Sequence, residues 1–69
     1  MNVRILVNGE PKEIPSDTSV AALLDLLTIK EARVAVEVNL DVVRREQRAS
    51  RVLKAGDRVE IVSFVGGGR

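Results

Sequence analysis

The residues best suited to chemistry stand at the end of the chain: Gly66, Gly67 and Gly68, followed by Arg69, directly after an apolar β-like run. Three consecutive residues without Cβ atoms can thread a channel that excludes other side chains and can take backbone angles closed to them. A larger residue at Gly67 or Gly68 would obstruct such entry. A frayed terminus is the plain alternative for any chain end. Three glycines directly after an apolar strand, in a chain lacking both cysteine and histidine, favour the functional reading.

The remaining residues offer little chemistry of their own. Without cysteine there is no disulfide framework and no thiolate metal site, and without histidine the commonest general base and metal ligand are missing. Asp and Glu are present, but no spacing nominates an acid/base pair, so a self-sufficient enzyme is disfavoured. At 69 residues the chain has room for one core, built from aliphatic side chains, with Phe64 the only aromatic. The formal net charge of +1 gives no strong field for nucleic acid or membrane. Arg44, Arg45, Arg48 and Arg51 form a local basic run, read as a solvated loop surface because no aromatic residues are interleaved to stack bases. No apolar stretch reaches membrane-spanning length and the start lacks a secretory apolar segment, so a cytoplasmic protein is expected.

Several elements must position the tail. Residues 3–7 are β-rich, and Asn8-Gly9 suits a tight type I′ hairpin turn into a second strand, residues 10–14. Pro11 cannot donate to a ladder, which puts that strand at a sheet edge. Asp17, Thr18 or Ser19 can cap a helix over residues 20–27, whose Val20, Leu23, Leu24 and Leu27 share one face. That face is expected to pack on Val3, Ile5, Val34, Val36, Val59 and Ile61. A third strand covers residues 33–38, a turn at residues 39–41 leads to a brief strand at Val42-Val43, and a charged, irregular stretch follows, pinned by Val52 and Leu53. After a turn at Ala55-Gly56-Asp57, the last strand spans residues 58–65. The order implies an α+β fold with one helix on a mixed sheet of four to five strands, the first and last strands being central neighbours. The expected organisation is one domain over residues 1–65 and a flexible glycine-rich tail over residues 66–69.

Val36-Glu37-Val38-Asn39, then Arg45-Glu46, Leu53, Gly56-Asp57, Val59-Glu60-Ile61 and the Gly-Gly ending resemble the ThiS-type sulfur carriers of thiamine biosynthesis. The resemblance covers essentially the whole chain and implies a ubiquitin-like β-grasp fold. It also implies that no cofactor is bound, and that a terminal glycine, Gly68 here, is adenylated with ATP by an E1-like partner and converted to a thiocarboxylate for a thiazole synthase. Three features depart from the family pattern: Arg44 stands where proline is common, Arg48 where an aromatic is common, and Arg69 follows the glycine pair. ATP can adenylate only a free carboxylate, so a processing peptidase that removes Arg69 is expected.

A carrier needs a docking surface. Alternation in the last strand turns Val59 and Ile61 towards the helix and Glu60, Val62 and Phe64 away from it, with Leu6 and Ala35 joining them on the open face. Leu6, Val62 and Phe64 are therefore the expected partner-binding residues, and neither nucleic acid nor membrane is an expected partner. Two alternatives stay open: a carrier for molybdenum-cofactor or amino-acid synthesis, and a β-grasp binding module or protein modifier.

Overall fold

A computed structural model describes residues 1–64. The expectations for Gly66, Gly67, Gly68 and Arg69 lie outside the described residues. The chain runs β1 (Asn2–Val7), β2 (Glu10–Pro15), α1 (Val20–Leu26), β3 (Val34–Val38), β4 (Asp41–Val43) and β5 (Arg58–Ser63), with 3-10 turns at Glu31–Arg33 and Arg45–Gln47. The strands form one mixed sheet in the order β2-β1-β5-β3-β4. β1 and β5 are parallel central neighbours, and the other pairings are antiparallel.

Local chemistry explains most of these elements. Asn8 and Gly9 hold φ values of 49° and 85°, the positive pair that a two-residue hairpin requires. The Leu6 N–H donates to the Asp57 carbonyl at 2.9 Å, on the β5 side. Leu6 therefore makes no ladder bond with Pro11, its partner across the hairpin, and the proline nitrogen faces the free edge. The edge position expected for Pro11 is the observed one.

Ser19 caps α1, its Oγ accepting from the Ala22 N–H at 3.1 Å. At the other end Thr28 takes φ 60°, its N–H donates to Asp25, and the Ile29 N–H donates to Leu24, a Schellman closure without the usual glycine. The helix thus ends at Leu26, with Leu27 as its cap. β3 starts at Val34 rather than Arg33, because the 3-10 turn takes residues 31–33.

The core lies between α1 and one face of the sheet. Ile5, Val20, Leu23, Leu24, Val36, Val38, Leu53 and Val59 are at most 2% exposed, and Val3, Leu27, Ile29 and Ile61 pack half-buried against them. With Val34, 6% exposed, every position expected on the helix-to-sheet interface is in this cluster.

The arginine-rich stretch differs from expectation. Arg44 and Arg45 are exposed and Arg51 is half-buried, but Arg48 is only 4% exposed and its Nη2 donates to the Val34 carbonyl at 2.7 Å. The cause is the helix start, whose first N–H groups lack intrahelical partners. The Ala21 N–H donates to the Arg48 carbonyl and the Val20 N–H to the Arg51 carbonyl. This stretch is therefore drawn onto the helix end, and the Arg48 stem is buried on the way to β3. Of the two residues expected to pin it, Leu53 is buried, whereas Val52 is 40% exposed and acts through a backbone bridge to Ser19.

Candidate docking face and the exit of the tail

Because side chains alternate along each strand, the face away from α1 is set by the register. Leu6 lies beside Arg58, Ala35 beside Val62, and Glu37 beside Glu60, while Val42 stands next to Glu37 on the outer side. Val62 is 59% exposed and Val42 66% exposed, so none of the other described residues covers this face.

β5 is held up to its last residue. The Asn8 N–H donates to the Val59 carbonyl at 2.8 Å. The Asn8 side chain then takes over: Oδ1 accepts from the Ile61 N–H at 2.7 Å, and Nδ2 donates to the Ile61 carbonyl at 3.2 Å. This amide stands in for the β1 residue that the hairpin turn has carried away. On the other side the Phe64 N–H donates to the Arg33 carbonyl at 2.8 Å, extending the β3 ladder one residue past β5. Phe64 is 58% exposed, which excludes it as core filler.

The other end of β5 is anchored by side chains as well. Asn39 Oδ1 accepts from the Arg58 N–H at 2.9 Å, and its Nδ2 donates to Asp57 Oδ1 at 3.0 Å. Asp57 Oδ2 in turn accepts from the Lys54 N–H at 2.8 Å. The Asn39 and Gly56-Asp57 positions therefore form one clamp at the start of β5.

Val62 and Ala35 are brought together, and Phe64 continues in phase with Val62. Leu6 shares the face but not the patch, because Arg58 and Glu60 stand between it and Val62. Four residues of strand separate the two positions, about 13 Å. Two features were not anticipated. Glu37 and Glu60 are direct cross-strand neighbours, a like-charge pair that disfavours the free sheet and suits a cationic partner. Exposed Leu40 and Val42 add apolar surface at the β3–β4 turn. Alternation puts Glu60 on this face but does not pair it with Glu37, since it gives a face without a register.

Among the described residues no group of three or more His, Cys, Asp or Glu could hold a metal ion. Among the described residues this face has no nucleophile with an adjacent base, and Phe64 is the last of them.

The sequence model of the ThiS family matches residues 5–68. A crystal structure of the thiamine biosynthesis protein ThiS from Geobacter metallireducens superposes with a TM-score of 0.79 at 38% identity, covering 99% of this chain and 100% of that one. The sulfur carrier protein ThiS of Escherichia coli is 29% identical over 96% of this chain and 100% of its own length. A thiazole synthase from Paramagnetospirillum magneticum is 38% identical over 96% of this chain, which spans only 20% of that protein. A second thiazole synthase, from Magnetococcus marinus, is 39% identical over 97% of this chain and 21% of its own length. The chain thus spans about a fifth of each synthase it matches. With a five-stranded mixed sheet carrying one helix and a family match over nearly its full length, the chain is a β-grasp protein and belongs to the ThiS family of sulfur carriers.

Proposed function

We propose that the chain carries sulfur as a thiocarboxylate on Gly68 and gives it up in thiazole formation. A carboxylate is a poor electrophile, so it must first acquire a leaving group. Attack of the Gly68 carboxylate on the α-phosphorus of ATP, in an E1-like partner, releases pyrophosphate and forms an acyl adenylate. A sulfur nucleophile then adds to the acyl carbon and AMP departs, leaving one oxygen and one sulfur on that carbon. The carrier itself supplies no acid, base or bound cofactor to these steps. Its contribution is to dock through Val62 and Phe64 and to present the glycines.

The observation that carries this reading is the family match, which runs to Gly68 and leaves Arg69 outside it. Removal of Arg69 by a peptidase would expose the Gly68 carboxylate. The two thiazole synthases that contain a similar stretch support such a synthase as the sulfur acceptor, since joining carrier and acceptor in one chain keeps them at high effective concentration. Dependence on ATP fits a cytoplasmic setting. Among the described residues no helix is long and apolar enough to cross a membrane.

The test is the intact mass of full-length and Arg69-deleted protein after incubation with the adenylating enzyme, ATP and sulfide. Exchange of oxygen for sulfur adds about 16 Da, expected only on the deleted form. Efficient conversion with Arg69 in place would overturn the processing step. Failure of the deleted form with each adenylating partner would overturn the carrier reading. The docking role is read separately with Phe64→Ala: an exposed side chain should cost under about 0.5 kcal/mol of stability, while affinity for the adenylating enzyme should fall. A large loss of stability with unchanged affinity would refute that role.

A further inference from the structure

The molecule has a second concave surface, on the helix side of the sheet. A cleft of about 500 Å³ opens between the α1–β3 connection and the end of β5, with buried Val34 in its wall. Its origin is in the chain path. α1 has seven residues and so spans about 10 Å, and Thr28 then turns the backbone at φ 60° before the sheet is fully covered. Leu27, Ile29 and Ile61, three of the four half-buried side chains that pack on the core, line the opening. Lys30 and Arg33 line it too; both are exposed, and no Asp or Glu stands among the described lining residues.

We propose that this cleft docks a short segment of a partner protein in which aliphatic side chains are flanked by carboxylates. The aliphatic lining selects the body of the occupant, and its volume lies in the range of pockets that hold compact ligands. Lys30 and Arg33 select the sign of the charge. The open face carries the opposite sign at its centre, in Glu37 and Glu60. Cleft and open face therefore suit different contact surfaces and can be engaged at the same time. Docking in the cleft is independent of what the glycine terminus carries.

The test is a titration of full-length, methyl-labelled protein with the capped peptide Ac-Glu-Leu-Leu-Glu-NH2 and its charge-inverted counterpart Ac-Lys-Leu-Leu-Lys-NH2, followed by NMR. The acidic peptide should shift the Leu27, Ile29 and Ile61 methyls saturably and bind about fivefold more tightly than the basic one, the combined effect of two exposed ion pairs. The Lys30→Glu/Arg33→Glu double variant should invert that preference. Lys30→Gln/Arg33→Gln should abolish it without inversion. Both substituted side chains are exposed, and the amide spectrum reports that the fold persists. Equal binding of the two peptides, shifts confined to the Val62 methyls, or no saturable shift at the Leu27, Ile29 and Ile61 methyls would overturn the proposal.

Discussion

Replacing Asn8 by glycine isolates the contribution of one side chain to the last strand. Glycine keeps the positive φ of 49° that the hairpin needs, so the turn survives and only the amide is lost. That amide makes two hydrogen bonds to the Ile61 backbone, at 2.7 and 3.2 Å, both solvent-exposed. Each contributes a net ~0.5–1.5 kcal/mol, and easier accommodation of φ by glycine offsets part of their loss, leaving a destabilisation of about 1–2 kcal/mol. For a domain of this size the melting temperature should fall by about 5–10 °C. The local signature is sharper. Ile61 N–H has Asn8 Oδ1 as its partner, so its hydrogen exchange should accelerate about 5- to 30-fold relative to amides of the β1–β2 hairpin. Fraying at Ile61 would loosen the strand that leads to Phe64, and under the proposed function binding of an adenylating partner should weaken with it. Unchanged exchange at Ile61 in a folded Asn8→Gly protein would refute the idea that the Asn8 side chain holds the end of β5.

The other expectations concern the helix and its ends. Leu24 is fully buried, so Leu24→Ala should cost about 2–5 kcal/mol in chemical denaturation, and wild-type unfolding would contradict the helix-face assignment. Thr28 is β-branched, exposed and left-handed at φ 60°; Thr28→Gly should relieve about 1–2 kcal/mol of backbone strain and return part of it as unfolded-state entropy. A net gain of about 0.5–1 kcal/mol is expected, and a loss would mean that the Thr28 side chain holds the turn. Leu40, at φ 73° and 86% exposed, should respond to Leu40→Gly in the same direction.

How far residues alone define this molecule depends on the range of the interaction that decides each feature. The β1–β2 hairpin was legible because Asn8-Gly9 carries its own turn chemistry, and the helix face because Val20, Leu23, Leu24 and Leu27 repeat at helical spacing. The edge position of β2 was legible because Pro11 lacks an N–H. Arg48 was not: its burial follows from helix N–H groups more than twenty residues earlier in the chain, and a charged side chain in a basic run gives no local sign of that demand. The cleft was equally hidden, since it depends on where the α1–β3 connection crosses a sheet whose extent comes from pairings distant in sequence. The docking face shows the boundary between the two cases. Alternation assigned Leu6, Val62 and Phe64 to one side, and that side is the one away from the helix. Only the register of β1 against β5, held by the Asn8 side chain at one end and by the Leu6 N–H on the Asp57 carbonyl at the other, separates Leu6 from Val62 by Arg58 and Glu60. In sequence the three glycines follow the Val62 end of that strand. Under the proposed function, a partner that grips the glycines has Val62 and Phe64 nearest along the chain, and reaches Leu6 only if it also covers the Glu37–Glu60 pair.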